Sequence, residues 1–479
     1  MRILNKVVFI LVFVIILSLI IFKAFNIPIT HDEVTTALNY FHFSNWQIIM
    51  YPDNAPNNQI LNTLFSKLSS SIFGLSTWSV RIPSILSFIL YTFGIYRILK
   101  IIFPNKSILW IAALSLFVTN PYLLDFFSLS RGYGMASAFV TISSSYLLTG
   151  FIHKEESGIW KSVFFAILAS YSNFTVLVFW SAISILAVVF FITQYRKTFS
   201  KLIKRILALA IVSILYLLLI LNPILKMTST DQFHYWSTKG FYKNTIMTSV
   251  KNWMYGDGIL SDINPNFIGL FVIAIFGFGL SYTIYKLLYK NQRKTIFQNS
   301  VILSFLILFT TLVVSQIQIL ILHTPNLERR IALFLFPLFI ILTVSLLSKL
   351  EYLKYKWITW SFAIIIPAFM FYHLINSFDG KSVREWWYDE NTYEVIDYIK
   401  KINPDKPVTL KTYWIFYNSF DFYNKTGKMK GIQLLPNSDI DVNCGADYYY
   451  IENGQVDQIK SKYKKVKRFA YSRWLMKRE

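Results

Sequence analysis

Hydrophobic runs of about 20 residues recur along most of this chain, and that is the length at which a helix crosses a lipid bilayer. The first run, VVFILVFVIILSLIIF, is nearly pure hydrocarbon. Of the 479 residues, 54% are hydrophobic and only 15% are charged, whereas soluble domains carry about 25% charged residues. The sequence therefore predicts an α-helical multi-spanning membrane protein.

About 11 runs qualify as membrane spans by length and apolar content. They cover residues 7–25, 81–100, 107–122, 133–152, 160–172, 174–194, 205–224, 266–288, 297–320, 330–348 and 357–375. Basic clusters such as YRILK and YRKTFSKLIKR recur at every second loop, and cytoplasmic loops are the ones enriched in Lys and Arg. We therefore expect a multi-pass protein of the plasma (inner) membrane, with its N-terminus in the cytoplasm and its C-terminus outside. The formal net charge of +22 is interpreted as a topology signal and as contact with membrane lipids, with no nucleic-acid partner.

Three outer loops contain amphipathic or aromatic segments. In the first loop, apolar residues spaced three and four apart, including Val34 with Leu38 and Leu61 with Leu64, predict two helices that lie in the membrane interface. The second loop, residues 120–134, is short. The third, roughly residues 226–264, is rich in Trp and Tyr and is typical of another interfacial segment.

The composition changes from about residue 376. Residues 376–479 hold 14 of the 25 acidic residues and show helix-like and then strand-like periodicity, interrupted by Asn-Pro and Thr-Gly turns. This pattern predicts a membrane-embedded domain at 1–375 and a small extracytoplasmic α/β domain at 376–479.

Two adjacent carboxylates follow the first span. Thr30 and Glu33 have the spacing of a capping box, which would begin a helix. Asp32 is not needed for that cap, and a carboxylate in a pocket that excludes water can accept a proton from an attacking hydroxyl. From local chemistry, a cap and an active site are both open interpretations of this pair.

Arginines near the outer ends of later spans are candidate anion-binding residues. Arg131 lies between small residues in SLSRGYG, and a guanidinium can bind phosphate at two points, although the same residue could simply anchor the span in the headgroups. Glu328, Arg329 and Arg330 depart from the charge bias of their side of the membrane, so they indicate an anion site or an ion pair within a loop. Arg81, close to the start of the second span, is interpreted as a headgroup anchor.

Several classes of chemistry lack the motifs that they require. The chain has no phosphate-binding P-loop, no GxGxxG and no HExxH. The six histidines do not pair at metal-ligand spacing, and Cys444 is the only cysteine. We therefore predict no cofactor and no metal; Asp32 and Glu33 alone are only a weak site for a divalent cation.

At these residues the sequence resembles the GT-C glycosyltransferases, in the branch around protein O-mannosyltransferases and lipid A aminoarabinose transferases. The features occur in family order: an Asp-Glu pair after the first span, the Asn-rich NNQILNTL, FGLSTWSVRIPS, SRGYGMASAF and LERRIALFLFPLF. The resemblance covers roughly residues 25 to 340. It implies an enzyme of the cell envelope that takes a sugar from a polyprenyl-phosphate carrier and transfers it to a lipid, glycan or protein acceptor on the outer face.

The resemblance also implies roles for individual residues. Asp32 would be the base toward the acceptor hydroxyl, with inversion at the anomeric carbon, and Glu33 would orient or share that catalytic site. Arg131 and one of Arg329 and Arg330 would stabilise the charge of the lipid phosphate. The full set of predicted substrate-binding residues is Asn57, Asn58, Arg131, Tyr133, Glu328, Arg329 and Arg330.

One departure from the family pattern and two alternative functions remain. Relatives often carry a His after the paired asparagines, where this chain has Gln59. A transporter or flippase of lipid-linked sugars would have the same pattern of apolar spans, but it would usually place ionisable groups inside those spans. A glycan polymerase or ligase would be expected to hold its key arginines in a large late outer loop.

Overall fold

A computed structural model describes residues 2–55, 57–104, 107–229, 240–255, 260, 262–288 and 296–479. These residues form two compact units. The first, here the helical unit, comprises Met1–Ile20, Asn45–Leu64 and Pro83–Phe378. The second, here the α/β unit, comprises Ile21–Ser44, Phe65–Ile82 and Asp379–Glu479. Residues 379–479 of the predicted tail domain belong to the α/β unit, which also includes two segments from the first 82 residues.

The described residues contain 19 α-helices. In chain order they are α1 (Arg2–Asn26), α2 (His31–Tyr40), α3 (Asn45–Ile49), α4 (Ile60–Phe73), α5 (Thr77–Ile102), α6 (Leu109–Val118), α7 (Pro121–Ser128), α8 (Gly132–His153), α9 (Glu156–Ser172), α10 (Leu177–Tyr195), α11 (Phe199–Thr228), α12 (Met247–Met254), α13 (Pro265–Leu288), α14 (Ser300–Leu322), α15 (Leu335–Leu347), α16 (Lys356–Ser377), α17 (Thr392–Ile402), α18 (Trp414–Lys425) and α19 (Val456–Ile459).

The predicted fold class, a multi-spanning α-helical protein with a small α/β domain, is confirmed. Within the described ranges, nine helices are long and apolar enough to cross a membrane, and α6 with α7 makes a tenth if that bent pair is one span. The expected count of about 11 is higher because it included α9. That helix has 17 residues, which is at the short end of the length that spans a bilayer.

The predicted single span at 107–122 is interrupted at Asn120. The Asn120 side chain accepts a hydrogen bond from the Leu123 amide at 3.1 Å, which caps the start of α7. Pro121 occupies the first position of α7, where its missing N–H costs nothing. The two helices meet at 55°, so this stretch is a bent pair of helices.

Glycines allow α8 and α9 to pack closely within the helical unit. A Cβ atom on Gly158 would lie 2.9 Å from the Cα atom of Gly150, so any side chain there would force the two helices apart. Ser143 donates a hydrogen bond to the Ser162 carbonyl oxygen at 2.8 Å across the same contact. Small residues and hydroxyl groups commonly join helices in this way inside a membrane.

The amphipathic segments predicted in the outer loops are helical. The apolar side of α2 contributes Val34 and Ala37 to a buried protein core, whereas α4 leaves Leu68 54% exposed and Ile72 64% exposed. In the third loop, residues 230–239, 256–259 and 261 lie outside the described residues. The described part of that loop contains a π-helical turn at Tyr242–Ile246 and helix α12.

The α/β unit contains a five-stranded sheet. Its strands are β1 (Val408–Thr412), β2 (Ile432–Leu434), β3 (Tyr448–Glu452), β4 (Tyr463–Phe469) and β5 (Arg473–Arg478), in the spatial order β2-β1-β3-β5-β4. Strand β1 runs parallel to β2 and β3, and β5 runs antiparallel to β3 and β4. Helices α17 and α18 share one buried core with the sheet, and Val34 of α2 belongs to that same core.

Candidate active site

Asp32 lies in the first turn of α2, and the predicted capping box begins that helix. The Thr30 backbone N–H donates to Glu33 Oε2 at 2.9 Å, and the reciprocal bond from the Glu33 amide to the Thr30 side chain is present. The cap fixes where the helix starts. The partly exposed Asp32 is thereby held one residue after the first residue of the helix.

Glu33 forms a fully buried ion pair with Arg81. The Arg81 guanidinium donates to both carboxylate oxygens, with Nε to Oε1 at 2.8 Å and Nη2 to Oε2 at 2.6 Å, and neither side chain is exposed. It also donates to the carbonyl oxygens of Ala24, Ile27 and Pro28, at 2.8 to 2.9 Å. The interpretation of Arg81 as a headgroup anchor is therefore wrong, because its charge is satisfied inside the protein.

These contacts place Glu33 in a structural role next to Asp32. Each of its oxygens accepts a bond from Arg81, and Oε2 also accepts from Thr30. A buried carboxylate that is bonded in this way orients the residues around it. Its participation in catalysis stays a prediction.

Side chains of the α/β unit also hold the backbone just before Asp32. The Ile29 amide donates to the Tyr423 hydroxyl oxygen at 2.7 Å, and the Ser419 hydroxyl lies 3.0 Å from the Ile29 carbonyl oxygen. The His31 amide donates to Asp389 Oδ2 at 2.8 Å. Backbone groups on either side of Thr30 are therefore bonded to residues 358 to 394 positions away in sequence.

The His31 ring contacts α18. Its Nε2 atom lies 3.1 Å from Asn418 Nδ2, and its Nδ1 atom lies 3.3 Å from the Ile415 carbonyl oxygen. Both ring nitrogens therefore face polar groups of the α/β unit.

In the helical unit, Arg131 lies beside Asn57, and both are predicted substrate-binding residues. Arg131 is 2% exposed, and its Nη2 donates to Asn57 Oδ1 at 3.2 Å. The next residue, Gly132, donates its amide hydrogen to the side-chain oxygen of Gln59. Gln59, which stands where relatives often have His, therefore connects the Asn-rich segment to the start of α8.

Asn58 and Tyr133 are both buried beside this pair of segments. Asn58 Nδ2 donates to the Ile48 carbonyl oxygen at 3.0 Å. The Tyr133 ring packs edge-on against Phe126, with the ring centroids 5.1 Å apart. Their predicted contact with substrate stays a prediction.

Gly132 has no space for a side chain. An added Cβ atom would overlap the carbonyl oxygen of Ser172 and lie 3.1 Å from Gln59 Oε1. We expect Gly132→Ala to lower the free energy of unfolding by about 1–3 kcal/mol, and to lower activity because it displaces Arg131. Denaturant unfolding in detergent measures the change. Gly277→Ala is the control, since a Cβ atom there meets nothing within 4 Å; equal stability of the two variants would contradict the prediction.

Glu328 and Arg329 make separate contacts with the segment around α12. The side chain of Asn244 donates to the carboxylate of Glu328, which is 8% exposed. Arg329 has a φ of 48°, in the left-handed region that residues other than glycine rarely adopt, and its amide donates to Thr248 Oγ1 at 3.1 Å. Its side chain is exposed and that of Arg330 is partly exposed, so both remain candidates for binding an anion.

Asp125 is a buried acid that the sequence analysis did not single out. It is 2% exposed and accepts a hydrogen bond from the Tyr255 hydroxyl. Helix α7, which carries it, contacts α8 and α12, and α12 contacts the turn at Arg329–Ala332. The sequence signal for Asp125 was an acidic residue in an otherwise apolar segment. A charged group is energetically costly inside a membrane, and such residues usually have a functional role.

No group of three or more His, Cys, Asp or Glu residues suited to a metal ion occurs among the residues that the structure describes.

The predicted site residues fall into three groups. Asp32 and Glu33 belong to the α/β unit; Asn57, Asn58, Arg131 and Tyr133 lie around the start of α8; Glu328, Arg329 and Arg330 lie beside α12.

No protein-family model matches the sequence, and no curated protein matches it. Among solved structures, ArnT from Cupriavidus metallidurans superposes in its apo state with a TM-score of 0.52 at 10% identity, over 98% of both chains. ArnT bound to undecaprenyl phosphate gives a TM-score of 0.53 at 11% identity, over 99% of this chain and 97% of ArnT. This chain has the ArnT fold. The fold expected from the sequence resemblance is therefore confirmed.

A weaker likeness extends to a second protein. AglB, the oligosaccharyltransferase of Archaeoglobus fulgidus, has a TM-score of 0.45 at 10% identity, over 94% of this chain and 70% of AglB. The match to ArnT, by contrast, covers almost the whole length of both chains.

Proposed function

We propose that this chain is an integral membrane glycosyltransferase that moves a sugar from a polyprenyl-phosphate carrier to a hydroxyl group of an acceptor on the extracytoplasmic face. The observation that carries the proposal is the end-to-end match to ArnT, which was crystallised with undecaprenyl phosphate. A lipid-borne donor also fits a sequence without a nucleotide-binding motif. The enzyme would lie in the plasma (inner) membrane, with its N-terminus in the cytoplasm and its C-terminus outside.

In this proposal Asp32 is the general base. Its carboxylate accepts the proton of the acceptor hydroxyl while the oxygen attacks the anomeric carbon from the face opposite the phosphate. The new glycosidic bond forms as the bond between the anomeric carbon and the phosphate oxygen breaks. Polyprenyl phosphate leaves, and the anomeric configuration is inverted.

The arginines would stabilise the departing phosphate. A guanidinium offers two parallel N–H donors to phosphate oxygens, and a fixed donor is most effective where negative charge develops. Arg131 is buried and oriented by Asn57, so it is already held in place. Arg329 or Arg330 would supply the second cation.

The test is an assay of bond cleavage in proteoliposomes. Purified chain is given polyprenyl-phosphate sugars that differ in the sugar, with lipid, glycan and peptide acceptors, and released polyprenyl phosphate is quantified. We expect release that depends on both donor and acceptor, with the sugar recovered on the acceptor. Movement of the intact donor across the bilayer, without cleavage, would instead identify a flippase and contradict the proposal.

A further inference from the structure

Four hydrogen bonds hold the backbone of residues 29–31, directly before Asp32 in the sequence. Thr30 N–H is held by Glu33. The amide and the carbonyl oxygen of Ile29 face Tyr423 and Ser419, at 2.7 and 3.0 Å. The His31 amide donates to Asp389 at 2.8 Å. Because Asp32 follows His31 directly, its backbone position is set by these bonds.

The Ser419 hydroxyl has one hydrogen but two acceptors within reach. Its Oγ atom lies 2.6 Å from Asp389 Oδ1 and 3.0 Å from the Ile29 carbonyl oxygen. If Asp389 is ionised, Ser419 donates to the carboxylate and the Ile29 carbonyl loses that donor. If Asp389 is neutral, its own O–H donates to Ser419, Ser419 donates to Ile29, and Asp389 Oδ2 still accepts from His31.

Only the neutral form therefore satisfies the whole chain of bonds. Asp389 is 1% exposed, and leaving a buried polar group without a hydrogen-bond partner destabilises a protein. With a neutral carboxyl the hydrogen bonds form one continuous series. Asp389 donates to Ser419, Ser419 donates to the Ile29 carbonyl oxygen, and the His31 amide donates to Asp389. That series connects the segment just before α17 and the middle of α18 to the residues at the start of α2.

We infer that Asp389 is a positioning residue for Asp32, and that as a neutral carboxyl it works with Ser419 to fix the backbone of Ile29 and His31. This inference rests on the proposed function, since it assumes that Asp32 is the base. Asp389 itself is buried, so it acts through the first turn of α2 and not on the substrate.

The charges around Asp389 are consistent with a neutral carboxyl. Burial raises its pKa from 3.8 to about 7, and the nearby Asp32 carboxylate acts in the same direction. The bonds from Ser419 and the His31 amide lower the pKa, as does Arg473 of β5. The phenol of Tyr450 on β3 also faces Asp389, but burial raises its own pKa to about 12, so it stays neutral.

The sign of the pH effect follows from this shift. Because the pKa is raised in the folded state, the folded protein keeps a proton that the unfolded chain releases from about pH 4 upward. The contribution of Asp389 to the free energy of unfolding should therefore fall as the pH rises from about 4 to about 7. Above pH 7 Asp389 ionises and Ser419 turns from Ile29 to the carboxylate.

Asp389→Asn and Asp389→Ala separate the positioning role from simple stability. The amide of asparagine can donate to Ser419 and accept from His31 at every pH, so Asp389→Asn should keep kcat within about twofold of wild type at pH 6. Wild-type kcat is expected to fall above pH 7, where Ser419 no longer donates to Ile29, and Asp389→Asn should lack that fall. Asp389→Ala removes both bonds, and kcat should fall at least about tenfold with KM changed less.

The assay is the release of polyprenyl phosphate across pH 5.5 to 8.5, with Ser419→Ala as a third variant in case Asp389→Ala does not fold. Ser419→Ala cannot donate to Ile29 in either state, so its kcat should be low and should not fall further above pH 7. Asp457→Asn, an exposed carboxylate paired with Lys460, is the control and should match wild type throughout.

Asp32→Asn, assayed in parallel, distinguishes the two ways of failing. If Asp32→Asn is inactive while Asp389→Ala keeps the wild-type kcat, or while Asp389→Asn shows the wild-type fall above pH 7, the positioning role is overturned and the base is not. If Asp32→Asn retains full activity, the proposed base is wrong and the positioning inference falls with it.

Discussion

Asp32→Asn is expected to lower the rate of sugar transfer about 10²–10⁴-fold, which is the usual contribution of a general base. Asparagine has nearly the size of aspartate but cannot accept the proton of the acceptor hydroxyl. The cap made by Thr30 and Glu33 and the ion pair with Arg81 do not involve the Asp32 side chain. The variant should therefore fold normally and still bind the donor lipid. Single-turnover assays would measure the loss in the rate constant of the transfer step.

The matched control removes a carboxylate elsewhere in the same unit. The Asp457 side chain is 81% exposed and pairs with Lys460 three residues later, an arrangement that contributes little to stability in water. Asp457→Asn should transfer sugar at the wild-type rate. A wild-type rate for Asp32→Asn as well would refute the proposed mechanism, and a loss in both variants would indicate a general effect of charge.

Local patterns predicted the elements that depend on local chemistry. The length of the apolar runs predicted the membrane spans, since a helix satisfies its own backbone hydrogen bonds in lipid. The Thr30–Glu33 spacing predicted the start of α2. The turns predicted at the Asn-Pro and Thr-Gly pairs of the tail lie just after α17 and α18, and Gly427 has the positive φ of 78° that such a turn favours.

Contacts between distant parts of the chain could not be predicted in the same way. Nothing near Asp389 in sequence indicates that it bonds to His31, which is 358 residues earlier. Arg81 gave a partial signal, because an arginine inside an apolar segment needs a partner, but its partner Glu33 could be identified only from the fold. The aromatic segment after β1 has strand-like periodicity, but the prediction of a strand there is wrong, because Trp414–Lys425 is helix α18. Its residues Phe416 and Phe420 are buried in the core. Packing in the core outweighs the β propensity of aromatic residues there.

Replacing Arg81 by leucine should lower the free energy of unfolding by about 3–5 kcal/mol, because it would leave the Glu33 carboxylate buried without its counter-ion. The same change removes the donors to the carbonyl oxygens of Ala24, Ile27 and Pro28. The link between α1 and α2 would then lose its anchor, and activity should fall together with stability because Asp32 would no longer be held in place. Denaturant unfolding in detergent, followed by tryptophan fluorescence, measures the loss.

Two comparisons show whether burial of the ion pair is the cause. Arg205 pairs with Glu156 at 2.7 Å, but the two side chains are 45% and 23% exposed, so Arg205→Leu should cost only about 0–1 kcal/mol. In a double-mutant cycle, removing Glu33 and Arg81 together should cost less than the sum of the two single changes, since the second change removes the charge that the first left unpaired. Equal losses for Arg81→Leu and Arg205→Leu would mean that the buried pair is not what holds Asp32 at the start of its helix.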